Sequence, residues 1–408
     1  MRAGNDIRVS KNHPRCPVCN GICTKHGTTS KGRQRWRCKN CGATSTRQHQ
    51  SATEARWFRI FIDWLVSGQS LASIANQHQV SITTLRRHFR LFWLIQPPIT
   101  PDPHRVWDQV FIDGTYFNTK CLIVISDINH VISWHWCFTE DSHAYTQLLG
   151  SIAPPRMVTT DGDKGALKAI TTTWGQATTI QRCLVHVKRN IQRATGLNPT
   201  SAMGKALRKL SLDLLKVTTT DQAAAWMVAL QNFSTVFATT LNEKTYVKDV
   251  PQDQIPKAKR HNKTWWYTHY RHRSAWNLLV KLAKNNQLFA YLTAAGDNEE
   301  LKRTTNSLEG GINSQIKKLM YDHRGLRDEH QRIACDWWLY LHTHIHHDPV
   351  DIARAQHWGH TGLTTAHTLH AEEQTQLNGP DDGRPPTYDN AIDTEYNHSI
   401  GIRKGPMR

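Results

Sequence analysis

The chain has 408 residues and a formal net charge of +18, with 51 Lys and Arg against 33 Asp and Glu. That length suggests two to four domains with a sizeable core, and the cationic surplus points to a polyanion, most simply nucleic acid. No apolar run approaches the roughly 20 residues needed to span a bilayer, and Met1-Arg-Ala-Gly-Asn-Asp-Ile-Arg8 carries no signal-like apolar segment, so a membrane-free, cytoplasmic protein is expected.

Residues 1–50 hold eleven Lys or Arg against one acid, Asp6. Among nine cysteines, Cys16-Pro-Val-Cys19 and Cys38-Lys-Asn-Cys41 form two Cys-x-x-Cys knuckles, while Cys121, Cys137, Cys183 and Cys335 lie scattered in apolar or mixed runs. This is the pattern of a metal site plus buried thiols rather than of a disulfide framework. Two knuckles can close a tetrahedral four-sulfur zinc site, with Cys23 left over, and the metal would supply most of the folding free energy of so small a zinc ribbon. Gly32-Arg-Gln-Arg-Trp-Arg37 alternates as a hairpin strand would, and its Arg33, Arg35 and Arg37, with Lys31 and Lys39, suit phosphate contact.

Residues 51–98 read as three helices. Trp57, Phe58, Phe61, Ile62 and Leu65 recur at helical spacing up to Gly68; Ser70 can cap a short second helix, and Ile82–Trp93 forms a third. Ala75 and Val80 fall where helix-turn-helix packing needs a small residue and an apolar turn residue. The third helix would then enter the major groove, with Ser81, Thr83 and Thr84 near base edges and Arg86, Arg87 and Arg90 on phosphates. Gln96-Pro-Pro-Ile-Thr-Pro-Asp-Pro103 is a stiff linker.

From Val106 the texture is β. Val110–Phe117, Cys121–Asp127 and Val131–Phe138 read as consecutive strands. A helix capped by Ser142 follows, then strand Met157–Thr160, a further helix, and strand Thr178–Val187. This β-β-β-α-β-α-β order over residues 104–190 is that of an α/β ribonuclease-H-like core, in which strands one and four are neighbours. Asp113-Gly114 and Asp161-Gly162 each end a strand; alone, an Asp-Gly turn is ordinary, but together they bring two carboxylates to one sheet edge. Asp127 and Asp163 fit the pattern less well, one following strand two and the other lying beyond its strand end.

Residues 191–300 read as a large all-helical insertion, with eight Lys or Arg and no acid between Lys257 and Lys284, interleaved with Trp265, Trp266, Tyr267, Tyr270 and Trp276. These aromatics suit a strand-stacking DNA surface or a helix core equally. Residues 301–347 hold C-terminal helices of the α/β core. There Leu308, Ile312, Ile316 and Leu319 make an apolar stripe, and Asn306, Glu309, Asn313 and Lys317 share a polar face. Gly310-Gly311 costs such a helix roughly 1 kcal/mol per glycine. His342, His344, His346 and His347 read as a polar helix end, and residues 348–408 as a disordered polar tail.

Over residues 14–345 the chain resembles bacterial insertion-sequence transposases of the Mutator-like superfamily. The motifs are the Asp113-Gly and Asp161-Gly strands, Cys183-Leu-Val-His186 after strand five, the helical insertion, and Thr-Thr-Asn306-Ser-Leu-Glu309. The resemblance implies Asp113, Asp161 and Glu309 as a catalytic acidic triad of the DDE type, with Cys183, His186, Asn306 and Asn313 around it. It assigns Cys183 and His186 no firm chemical role. It also implies double-stranded DNA as partner, both the terminal inverted repeats and the target, a homodimer or higher oligomer on DNA, and a nucleoid-associated location.

Carboxylates alone suffice for such chemistry. Two Mg²⁺ ions, for which Mn²⁺ can substitute, activate water and stabilise charge on the phosphate and leaving oxygens; the freed 3′-OH can then attack target DNA. The competing reading is a zinc-ribbon and helix-turn-helix regulator with an inactive nuclease-like domain; a resolving nuclease is a third.

Overall fold

The fold comes from a computed structural model, which describes residues 21–46, 50–117, 120–251, 264–294, 301–344 and 346–377, with Pro14, Cys16, Cys19 and Ile255. Contacts divide the chain into two units: Met1–Pro97 with His347–Arg408, and Pro98–His346.

The first unit begins with an antiparallel sheet of β1 (Cys23–Thr28), β2 (Gln34–Cys38) and β3 (Thr44–Ser45). Its core is Trp36 with Cys16, Cys23 and Cys38. Strand alternation turns Trp36 and Cys38 inward and leaves Arg35 and Arg37 exposed, with Arg33 exposed just before β2. Helix α1 (Gln50–Ser67) buries Trp57, Phe58, Phe61, Ile62, Trp64 and Leu65 and is stopped by Gly68 at φ +66°. Helix α2 (Leu71–Gln77) is capped by Ser70, whose hydroxyl accepts from the Ser73 N–H at 3.1 Å. A tight turn follows, with Gln79 at φ 54° and the Val80 N–H bonded to the Ala75 carbonyl at 2.9 Å. Helix α3 (Ile82–Phe89) starts at a Ser81 cap and seats Leu85 and Phe89 in the core. It stops short of the expected Trp93, a separate 3-10 turn covering Phe92–Leu94.

The second unit is built on a five-stranded sheet. Strands β4 (Gln109–Phe117), β5 (Lys120–Ser126) and β6 (Val131–Cys137) are antiparallel neighbours. After α4 (Ser142–Leu149), β7 (Met157–Thr160) pairs parallel with β4; after α5 (Lys164–Thr173), β8 (Thr179–Arg182) pairs parallel with β7. The order is β6-β5-β4-β7-β8, so strands one and four of the core are adjacent. Val110, Ile112, Ile123, Ile125 and Val158 pack against Leu148, Ala169 and Ile170 of α4 and α5. Asp141, not Ser142, caps α4, accepting from the N–H groups of His143 and Ala144, both at 2.9 Å. A carboxylate at the cap also complements the helix dipole. Strand β8 is shorter than Thr178–Val187: α6 (Leu184–Thr195) begins there, because Leu184, Val187 and Ile191 recur at helical spacing and are all buried.

The insertion packs α7 (Ala202–Leu214), α8 (Thr220–Val236), α9 (Ala238–Asn242), α10 (Tyr270–Lys284) and α11 (Ala290–Thr293) around Leu207, Leu214, Leu230 and Leu279. It is not wholly helical. Strands β9 (Lys244–Tyr246) and β10 (Trp265–Tyr267), rich in β-prone residues, pair as an antiparallel ribbon. The aromatics here are divided in use. Trp266 is buried and the Trp276 indole donates to Ser234 at 2.8 Å, whereas Lys244 lies 4.2 Å over Trp265 and Arg273 3.8 Å over Tyr267. Lys257, Lys259, Arg260 and Lys263 lie outside the described residues.

The stretch carrying Glu309 is a π-helical segment, Ser307–Asn313, running into α12 (Ser314–Asp322) rather than one α-helix. The Gly310-Gly311 pair, costly in an α-helix, belongs to this wider turn, a form frequent at functional sites. Helix α13 (Asp328–Leu341) follows. At its end the His342 ring stacks on Trp338 at 3.7 Å and His344 on His130 at 4.7 Å.

Residues 349–377 correct the expectation of a disordered tail. They form α14 (Pro349–Ala355) and α15 (His360–Leu377) and belong to the first unit. Gln356 donates to the Gln96 carbonyl at 2.7 Å and accepts its N–H at 3.1 Å, and the Trp358 ring meets Phe58 at 6.5 Å. Residues 378–408 lie outside the described residues.

Candidate active site and metal centres

The sulfurs of Cys16, Cys19, Cys38 and Cys41 converge within 4.8 Å. Cys16 and Cys41 are 3.5 Å apart and Cys19 and Cys38 3.4 Å; a tetrahedron with Zn–S bonds of about 2.3 Å has edges of about 3.8 Å, so the donor set could hold zinc. Hydrogen bonds from the backbone of Cys41 and Asn40 lower the Cys38 thiol to about 6 against the opposing effect of burial. Cys23 packs beside the knuckles, and burial pushes its thiol up.

The second centre lies at the sheet edge. Because β4 and β7 are parallel with Ile112 opposite Thr160, the next residues, Asp113 and Asp161, are neighbours. Asp161 follows the end of β7, whereas Asp113-Gly114 does not end a strand as expected but lies within β4, which runs on to Phe117 along β5. Asp113 Oδ2 accepts from the buried Asn313 amide at 2.7 Å. Burial, reinforced by the charges of Asp161 and Glu309, pushes its carboxyl up to about 7. Asp161 Oδ1 accepts from the Asp163 N–H at 2.9 Å, while Asp163 itself caps α5. Asp127 is likewise a turn residue, accepting from the N–H groups of Asn129 and His130 at 2.7 and 2.6 Å.

Glu309 is held by three groups. Thr305 Oγ1 donates to Oε1 at 2.5 Å, Arg189 donates to Oε2 at 3.0 Å, and His186 Nδ1 lies 3.5 Å from Oε1. Burial pushes this carboxyl up, but the Thr305 and Arg189 hydrogen bonds prevail and leave it below its ordinary value. Cys183, at the N-cap of α6, is fully buried; its sulfur lies 3.3 Å from the Thr305 N–H and 3.2 Å from its hydroxyl. The hydrogen bonds from His186 and Thr305 outweigh burial and lower the thiol, and the Cys183 contact raises His186. Among the described residues, Cys183, His186 and Glu309 form a three-ligand cluster within 4.8 Å; Asp113 and Asp161 are not gathered into one.

The polar face expected on the Glu309 segment is only partly turned inward. Asn313 reaches Asp113, whereas Asn306 and Lys317 are exposed. Arg189 pairs with Glu309, and the Arg182 guanidinium donates to the Asp161 carbonyl. Arg189 carries no signal in the sequence, and Arg182 and Glu140 only an indirect one. Two glycines are the signal for Arg182 and Glu140. A Cβ on Gly162, which has φ +87°, would lie 1.6 Å from the Arg182 guanidinium carbon, and one on Gly114 would lie 2.5 Å from Glu140 Oε1. Each Asp-Gly pair thus combines a carboxylate with room for a charged side chain.

Residues 149–242 match the family model for transposases of the Mutator family. That segment of the chain is similar to Mutator-like transposases. The matched span holds Asp161, Cys183, His186 and Arg189, with Asp113 and Glu309 outside it. No curated protein matches the chain. No helix among the described residues is long and apolar enough to cross a membrane.

One stability effect follows from the site's electrostatics. A carboxyl raised from 3.8 to about 7 on folding is destabilising above the unfolded value, and the cost is complete above about pH 7. Asp113→Asn should therefore raise the melting temperature of metal-free protein at pH 8. The gain is at most roughly 4 kcal/mol at about 1.4 kcal/mol per pH unit, and it shrinks as pH falls toward 4. Calorimetry with and without Mg²⁺ checks this: millimolar Mg²⁺ should stabilise the wild type more than the variant.

Proposed function

We propose that this protein is a DNA transposase that binds the ends of its element, cleaves DNA strands and joins the 3′-OH ends to target DNA by two-metal-ion phosphoryl transfer. The observation that carries the reading is the side-by-side placement of Asp113, within β4, and Asp161, just past the parallel strand β7, with Glu309 close enough to raise Asp113. The strand order supports a ribonuclease-H-like core, and the family match supports the activity class.

The donor set fits hard divalent cations. Asp113 offers a carboxylate whose hydrogen-bond partner is a neutral amide, set against two other negative charges. Mg²⁺ or Mn²⁺ bound there would activate the attacking oxygen and stabilise the leaving one. Asp113, Asp161 and Glu309 act as the ligands in this reading. Asn313 orients Asp113, Thr305 orients Glu309, and Arg182 fixes the turn after β7. The exposed Arg189 can exchange Glu309 for a DNA phosphate when substrate arrives.

End recognition falls to the zinc ribbon and to α1–α3 read as a helix-turn-helix domain. Arg33, Arg35, Arg37, Arg86, Arg87 and Arg90 are all exposed. Thr83 is exposed and suited to base edges, whereas Ser81 and Thr84 are tied together at 2.9 Å in the α3 cap. Arg87→Ala should weaken end binding and reduce the slope of log affinity against log salt by about 1, as expected for one lost phosphate contact. An unchanged slope in fluorescence anisotropy would remove Arg87 from the interface. The activity itself is tested by incubating the full chain with supercoiled DNA carrying the element's terminal repeats. Mg²⁺-dependent nicking at the repeats is expected; binding without cleavage would instead mark a regulator.

A further inference from the structure

The Cys183–His186–Glu309 cluster has a donor set different from that of the two aspartates. It offers a sulfur, an imidazole nitrogen and a single carboxylate, a combination characteristic of zinc rather than magnesium. One ligand atom from each lies within 4.8 Å of the others. His186 Nδ1 and Glu309 Oε1 are already 3.5 Å apart, close to the roughly 3.3 Å edge of a tetrahedral zinc site. His186 Nδ1 is buried, and the His186 side chain also meets Cys183. The backbone supports the arrangement: Cys183 and His186 lie on the first turn of α6, and Glu309 comes from the facing π segment.

We propose that Cys183, His186 and Glu309 form a second zinc-binding site, separate from the ribbon, with three protein ligands and a fourth position open to water or substrate. Occupancy draws the Cys183 sulfur toward the ion and replaces the Thr305 bond at Glu309 Oε1, while Arg189 can stay on Oε2. Where Glu309 serves phosphoryl transfer, a step that rests on the function proposed above, zinc at this site withdraws it. Zn²⁺ then inhibits against a background of Mg²⁺.

The test uses the full chain with its ribbon zinc in place. Metal content is measured after equilibration with Zn²⁺ and gel filtration, and Co²⁺ substitution is followed by the thiolate charge-transfer absorption. Wild type should hold two ions per chain, and Cys183→Ser and His186→Gln one each, with circular dichroism unchanged. His186→Gln alters a partly exposed side chain, so it remains informative where Cys183→Ser disturbs packing. One ion per wild-type chain, or two in both variants, overturns the site. A second ion in wild type with strand joining insensitive to Zn²⁺ supports the site and instead overturns the catalytic reading of Glu309.

Discussion

Asp113→Asn, Asp161→Asn and Glu309→Gln are each expected to reduce strand cleavage and joining by about a thousandfold or more while leaving affinity for element ends within roughly threefold of wild type. Each change keeps the side chain's size and removes a charge. The losses should not add if, as proposed, the three carboxylates serve one catalytic unit; a double variant should be no worse than its weaker parent by more than about tenfold. Cleavage assays on a pre-nicked and an intact repeat, run beside anisotropy on the same preparations, separate chemistry from binding. Multiplicative losses would mean that the carboxylates act independently. Mn²⁺ should partly restore activity to the weakest variant, and Ca²⁺ should support binding without turnover.

Loss of the four-cysteine site, which could hold zinc, is expected to be nearly as damaging, at a different step. Among the described residues, three short strands enclose Trp36, Cys16, Cys23 and Cys38, with Ala43 against them, far too little apolar surface to offset the entropy of ordering the chain. Cys38→Ser, or treatment with a strong chelator, should therefore unfold the ribbon and weaken end binding by roughly tenfold or more. Helix content should persist, since Phe58, Phe61, Phe89 and Phe92 form an aromatic core of their own. Trp36 fluorescence would shift, and proteolysis would become rapid between Cys16 and Cys41. Unchanged end affinity after verified zinc loss would remove the ribbon from DNA recognition.

The sequence made local features legible where one physical rule acted alone. The alternation around Trp36, the Ser70 cap and the strand pattern of the sheet all follow from spacing and backbone chemistry, whereas Ser81, a cap in the structure, reads from the sequence as a base contact. Asp113 and Asp161 could be paired because parallel adjacency of two strands fixes which residues emerge together. Features set by distant partners were not legible. Leu184-Val-His-Val187 alternates like a strand, and only the burial of Ile191 beyond it reveals the helix. Arg189 meets Glu309 across 120 positions of chain, and Gln356 meets Gln96 across 260. The latter contact shows why a Thr- and His-rich stretch reads as a tail and yet folds: its order comes from packing on residues far upstream. The paired glycines at 310 and 311 pointed to an unusual helix without specifying the π turn.

The central claim is that Glu309 is the third metal-binding carboxylate. Glu140 is the discriminating control, because it too lies at the sheet edge, against Gly114, and bonds to Tyr145 rather than to Arg189 and Thr305. The deciding measurement is the yield of repeat DNA joined to a target plasmid in Mg²⁺ by Glu309→Gln and Glu140→Gln proteins prepared together. Joined product should fall to background for Glu309→Gln and remain within about tenfold of wild type for Glu140→Gln. Joining retained by Glu309→Gln and lost by Glu140→Gln would contradict the claim.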